Sequence, residues 1–385
     1  MISLKNRYLR NLMPTNLSLS EFGLWLLVPF ASLTNVFGVP ISPTMVLFLG
    51  AVVCWIFLNF NGEQLKINNQ KLKMVVAVCL IFVCYLFASQ YFMDAPFRRY
   101  IAAVMAPLFL VFILIFSEQT SEDFLKKLGR KFIRYSVIIF CFEAVFRYAM
   151  SFWTIYQGTN HEQGFYQFKI FAFIHYCSNM VAILLVLLLF FMLWWKDTYK
   201  ESLKKEIAIV LILIVLCLSR AAIPAVAVGL FYYFLFKNAD WKKSLLVFFS
   251  MGIFGIFVLW VLRYFPDYSF QTKFLIIEEA LIYFQTASLS QILFGLGFTL
   301  SGDVMTFGAH NYFLVYLMES GVIGLLLVCA TLFVFIKASN GKVMIVLLPF
   351  IVQNMAASSV FLPYFYVIMA LVIVQTLGNP KLIRK

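Results

Sequence analysis

Charge is scarce in this chain: only 12% of its 385 residues are Asp, Glu, Lys or Arg, and the acidic ones number 17. With 63% hydrophobic residues and 45 phenylalanines, a water-soluble domain would expose large apolar patches, so lipid is the expected solvent. The seven cysteines all fall inside apolar runs, and none makes a CxxC pair or a metal-ligand spacing. They read as small core hydrophobes. Gly/Ser linkers, low-complexity tracts and internal repeats are missing, which counts against transporter folds built from inverted repeats. The N-terminus lacks a short apolar stretch with a small-residue cleavage site, so the first helix is expected to stay as an uncleaved anchor.

What the chain does have is a series of apolar runs, many long enough to cross a roughly 30 Å hydrocarbon layer as helices. Their polar breaks predict twelve helices and one all-α membrane domain over residues 1–385. The first six run about Glu21 to Phe37, Thr44 to Phe60, Leu72 to Tyr91, Arg99 to Phe116, Ile133 to Trp153 and Ile170 to Trp195. The second six run about Ile207 to Leu218, Ala221 to Phe236, Ser244 to Leu262, Asn311 to Ile336, Val343 to Ala357 and Val360 to Leu377.

Alternate breaks are rich in Lys and Arg, as at Lys66 to Lys73, Lys126 to Arg134, Lys196 to Lys205 and Lys337 to Lys342. Basic residues are retained on the cytoplasmic side, which predicts cytoplasmic termini and a long periplasmic loop over 263–309. The net charge of +13 is then a topology signal with attraction to anionic membrane lipid, and no nucleic acid is needed to explain it.

Ionisable residues on the opposite side are few, and the membrane makes each costly enough to weigh singly. Arg220 interrupts Cys217-Leu218-Ser219-Arg220-Ala221-Ala222, between two apolar runs that are each shorter than a full crossing. A hairpin of that kind holds its tip below the membrane surface. An arginine there needs a water-filled recess and an anionic partner, and its fork suits phosphate oxygens. The plainer alternative is an arginine snorkelling to the interface or bonding helix C-terminal carbonyls.

His310, at a helix entrance, reads as a general base, a phosphate donor or an interfacial turn cap. Arg98 and Arg99 open the fourth helix either as a basic funnel for substrate or as interface anchors. Glu143 and Arg147 share one face of the fifth helix and read as a structural ion pair, although midplane charges are also what a flippase or transporter would carry. Glu278 and Glu279 form the solvated face of an interfacial amphipathic segment, Phe274 to Gln285. Asp94, Asp267 and Asp303 lie singly with no Asp-x-Asp, so neither a divalent metal nor another cofactor is indicated.

Three ordered segments carry a resemblance. Phe294-Gly295-Leu296-Gly297 precedes Gly308-Ala309-His310-Asn311-Tyr312-Phe313-Leu314, and Glu319-Ser320-Gly321-Val322-Ile323-Gly324 follows. Together with Ser219-Arg220-Ala221 before the long loop, they resemble the O-antigen polymerase and ligase superfamily. Lys169 to Ala182 is similar to that family's Arg-x-x-Gly and Asn-x-x-Ala segment, with Lys169 in place of arginine and Ala172 in place of glycine. Lys273 stands where the loop of relatives commonly opens with an arginine. Lysine keeps the charge and loses the bidentate fork. The resemblance covers roughly Lys169 to Lys337.

It implies an integral-membrane glycosyltransferase of GT-C-like architecture in the bacterial inner membrane, with its active site facing the periplasm. The implied donor is a glycan on undecaprenyl pyrophosphate and the implied acceptor a lipid-linked repeat unit. A chain-length regulator and a flippase are the implied partners. Arg220 and His310 take the catalytic positions, and Lys169, Lys273, Arg263, Asn311, Gly295, Gly297, Arg98 and Arg99 the substrate-binding ones. Pyrophosphate is a good leaving group, so positive charge at the phosphates and at most one base suffice, without metal or paired carboxylates. Ligases that pass glycan to lipid A-core share the same residues.

Overall fold

The computed structural model describes residues 17–34, 36–37, 42–60, 67–93, 97–157, 167–175, 177–238, 268–298, 300–306, 309–356 and 362–378. Among them the chain is helical, with one antiparallel bridge between Val36 and Ile174. In chain order the helices are α1 (Leu19–Leu27), α2 (Pro43–Phe60), α3 (Gln70–Phe92), α4 (Phe97–Ser117), α5 (Glu122–Tyr156) and α6 (Gln167–Ile170). There follow α7 (Ser178–Tyr199), α8 (Lys204–Leu216), α9 (Ala222–Asn238), α10 (Tyr268–Thr286) and α11 (Leu289–Phe294). The last are α12 (Ser301–Val304), α13 (Tyr312–Glu319), α14 (Gly321–Ala338), α15 (Met344–Asn354) and α16 (Pro363–Gly378).

Five of these, α2, α3, α5, α7 and α14, are long and apolar enough to cross a membrane. Apolar side chains also point outward: Val46, Leu49, Val53 and Phe57 on α2 are all exposed, as are Ile138, Phe142 and Val145 on α5. An outward-facing apolar belt on self-satisfied helices is what a membrane-embedded protein requires. The inverse holds for α7, whose residues from Val181 to Trp195 are all buried, and for α16 from Pro363 to Thr376. These two helices are the centre around which the others pack.

The apolar runs and the helices differ where tertiary contacts or proline intervene. The first run yields only α1, nine residues ending two before Pro29, which has no N–H to continue the ladder. The basic stretch before Ile133 is helical, so α5 reaches 35 residues. The expected helix from Ile170 begins only at Ser178, because Phe173 and Ile174 run extended against Val36 and Phe37. The run from Asn311 to Ile336 is split into α13 and α14 at Ser320 and Gly321. The expected span Ser244 to Leu262 lies outside the described residues.

The contacts give the bundle two distinct ends. At one, Lys71 Nζ donates to Asn340 Oδ1 (2.7 Å), Arg130 bonds Glu206 (2.9 Å), and Gln375 at the end of α16 reaches Leu125 O. The basic breaks at 67–73, 122–134, 199–206 and 337–342 therefore meet there. At the other end stand the start of α7, the tip between α8 and α9, and the start of α13.

Candidate functional site

Four short helices have an end at the Arg220 end of the bundle. Helix α8 has 13 residues and α9 has 17, while α15 has 11 and α16 has 16. At 1.5 Å per residue these are about 20, 26, 17 and 24 Å long, short of a roughly 30 Å layer. Ser219 and Arg220 lie on the tip between α8 and α9, where the sequence leads one to expect a turn held below the membrane surface. Leu218, immediately before it, is held in the left-handed region at φ 54°, a conformation that costs a non-glycine residue about 1–2 kcal/mol.

Lys169, on the single turn α6, comes to the same place. Burial first, and then the charge of Arg220, push its ammonium pKa below the ordinary lysine value, while the Cys177 thiol acts weakly the other way. Two cations 51 positions apart in sequence are therefore within electrostatic reach of one another. Cys177 is also the N-cap of the 22-residue helix α7 and makes no side-chain cap bond, so the positive end of that helix dipole adds to the field. Half-buried cations beside a helix N-terminus form a surface that attracts an anion.

Arg147 holds this arrangement in place. Its Nε donates to Glu143 Oε1 at 2.9 Å, and both side chains are buried. Its Nη1 donates to two carbonyls, Phe168 O at 3.1 Å and Leu216 O at 2.9 Å. One precedes Lys169 and the other closes α8, four residues before Arg220. Tyr148 Oη donates to the same Leu216 carbonyl at 2.9 Å. The Glu143–Arg147 pair is structural, as its spacing suggested, and it also sets the relative position of the two cation-bearing segments.

The glycine motifs turn out to be halves of one backbone junction. Gly295 lies at φ 84°, and a Cβ there would fall 2.4 Å from the Glu319 carbonyl carbon. Gly321 lies at φ 70°, with its Cβ position 2.2 Å from Leu293 O. Leu296 N donates to Met318 O and Gly297 N to Glu319 O. Tyr85 and Gln90 of α3 stitch the junction to the bundle through Ser320 O, Glu319 O and Phe298 N. The N–H groups of Gly295 and Gly297 are engaged within the chain, so these glycines shape the loop rather than offer an amide to a ligand.

The same junction presents His310. Buried Glu319 accepts from Ser301 Oγ, and Ser301 Oγ in turn accepts from Ala309 N, the residue before His310. Asn311 Oδ1 accepts from Phe313 N and Leu314 N as the N-cap of α13, and its Nδ2 donates to Met355 O at the end of α15. Asn311 thereby acts as a cap and a tie between loop and hairpin. His310 itself is exposed. Since α15 packs against α9, His310 and Arg220 stand on the same end of neighbouring helices.

Other expected residues fall elsewhere. Arg98 and Arg99 stand in the first turn of α4 and Lys273 in the second turn of α10, with their side chains outside the described part. Arg263, Asp94, Asp267 and His161 are outside it altogether. Glu279 is tied to Thr306 Oγ1 and N at 2.6 and 3.0 Å, which fastens the amphipathic helix α10 to the loop. A groove of about 850 Å³ lined by Trp25, Lys127, Lys131 and Arg134 lies at the lysine-rich end, away from Arg220. His175, which with His161 is a weaker histidine candidate than His310 in the sequence, is buried between α6 and α7 at φ 60°; burial pushes its pKa down to about 4. Comparison with protein families, curated proteins and solved structures finds no match to this chain.

Proposed function

We propose that the chain is a multi-pass inner-membrane glycosyltransferase that polymerises undecaprenyl-pyrophosphate-linked repeat units at the periplasmic face, in the manner of an O-antigen polymerase. The observation that carries this reading is the meeting of Lys169 and Arg220 at the end opposite the lysine-rich breaks. By the retention of basic residues in the cytoplasm, the lysine-rich end is cytoplasmic and the Arg220 end periplasmic. A buried site that accumulates like charge favours a ligand carrying the opposite one, and a lipid pyrophosphate is an anion delivered at that depth.

In this mechanism Arg220 and Lys169 bind the donor's pyrophosphate oxygens and stabilise the charge that grows as the sugar–phosphate bond breaks. The acceptor's hydroxyl oxygen attacks the anomeric carbon from the opposite face, its proton passing to His310, and undecaprenyl pyrophosphate leaves. A single displacement inverts the anomeric configuration. Arg147 is a positioning residue, and Gly295, Gly297, Asn311 and Glu319 set the loop that carries His310.

The test is a reconstituted reaction. Purified protein in nanodiscs receives lipid-linked repeat units without metal or nucleotide sugar, and products are resolved by length. A ladder from the wild type that disappears in Arg220→Ala and His310→Ala is the expected result. Transfer only when lipid A-core is supplied would make the chain a ligase, and movement of lipid-linked repeats without any change in glycan length would make it a flippase.

A further inference from the structure

Helices α7, α9 and α15 pack against one another in all three pairings. At the Arg220 end of this trio the chain buries a group of uncharged polar side chains. Ser178 begins α7, Ser219 precedes α9, and Gln353 and Asn354 end α15; none is more than 4% exposed. Among the described residues, Ser178 Oγ, Ser219 Oγ, Asn354 Oδ1 and both polar atoms of the Gln353 side chain have no hydrogen-bond partner. Five further buried atoms without partners sit on five separate residues, Ser32, Arg130, His175, Tyr283 and Thr376, whereas these five gather on four residues at one end of one helix trio. Buried polar groups are rarely left without partners, so these five atoms mark a place where something polar binds.

The chemistry of the five atoms narrows what that is. An anion requires donors and a cation requires acceptors, but this group offers both: a Gln353 amide donor, acceptors on Gln353 and Asn354, and two hydroxyls that serve in either sense. Neutral, mixed donor–acceptor pairing is the complement of sugar hydroxyls. The group is also in the right place, because Ser219 adjoins Arg220 and α15 ends beside the start of α9. We propose that Ser178, Ser219, Gln353 and Asn354 form a subsite for a sugar ring of the lipid-linked glycan, beside the cation pair. The inference rests on the glycosyltransferase reading and names the part of the site that recognises sugar rather than phosphate.

The experiment measures, in nanodiscs, binding of two probes: undecaprenyl pyrophosphate, and undecaprenyl pyrophosphate carrying the repeat isolated from the cells that encode this protein. Wild-type protein is expected to bind the glycan-bearing lipid more tightly. Gln353→Leu and Ser219→Ala are expected to lower that extra affinity about tenfold or more each, the scale of one or two lost hydrogen bonds. Affinity for the sugar-free lipid should stay the same, and the melting temperature of Gln353→Leu should hold or rise, since an unpaired buried amide is removed. Equal affinity for both lipids in the wild type, or an unchanged preference in both variants, overturns the sugar subsite and leaves the cation pair standing. Failure of the wild type to bind either lipid overturns both.

Discussion

The two ends of the bundle place cationic side chains in different electrostatic surroundings. At the lysine-rich end carboxylates answer the cations: Arg130 meets Glu206 at 2.9 Å, and Lys126 meets Glu201 at 3.5 Å. At the other end, burial first and then the charge of Arg220 lower the pKa of Lys169. A cation beside a carboxylate has been neutralised by the fold, whereas a cation beside a second cation stores repulsion that an anionic ligand can relieve. Position relative to other charges, more than residue type, separates topology signal from candidate site.

Removing the brace should affect this contrast most. Arg147→Met leaves Glu143 buried beside no partner, with an expected loss of about 3–5 kcal/mol, read as a fall in melting temperature. The double variant Glu143→Gln with Arg147→Met should recover part of that stability without recovering activity, because the Phe168 and Leu216 carbonyls remain untied. Next in size, Arg220→Ala should cut chain extension by about 10²–10³-fold with little change in melting temperature, the usual cost of removing one charge-stabilising group.

Two titrations sharpen the comparison. Between pH 6.5 and about 4 the unfolded chain binds a proton that buried His175 refuses, so stability should fall as pH drops through that window. His175→Asn, which also tolerates the left-handed backbone, should flatten that acid limb in pH-dependent melting. Lys169 should lose its proton at lower pH than an ordinary lysine, and Arg220→Ala should move that loss upward, measurable as the pH dependence of lysine acylation. Smallest of all, Arg130→Ala at the lysine-rich end should cost about 1 kcal/mol or less and leave activity intact.

Much of the helical framework was legible because burial in lipid writes it as apolar runs: α2, α3, α4 and α9 start and stop within about two residues of the apolar boundaries. The departures come from long-range contacts that no local pattern carries. Glu319 and Ser320 are only a short polar interruption within a long apolar run, and the break there is imposed by Gly321 against Leu293 O. Residues 171–174 look helical until Val36 pairs with Ile174. Within the site, Arg220 and the Glu143–Arg147 spacing could be read directly. That Arg147 ties Phe168 to Leu216, and so brings Lys169 to Arg220, could not. Gln353 and Asn354 gave no sequence signal either, since amides near a helix end are ordinary, and only burial without partners distinguishes them.

The central claim is that the Arg220 end, and not the lysine-rich end, holds the lipid pyrophosphate. It is tested most directly by the affinity of undecaprenyl pyrophosphate for nanodisc-embedded wild type, Arg220→Ala and Arg130→Ala. The account predicts a loss of about a hundredfold or more in Arg220→Ala and wild-type binding in Arg130→Ala. Full binding by Arg220→Ala, with the loss appearing in Arg130→Ala, would contradict it.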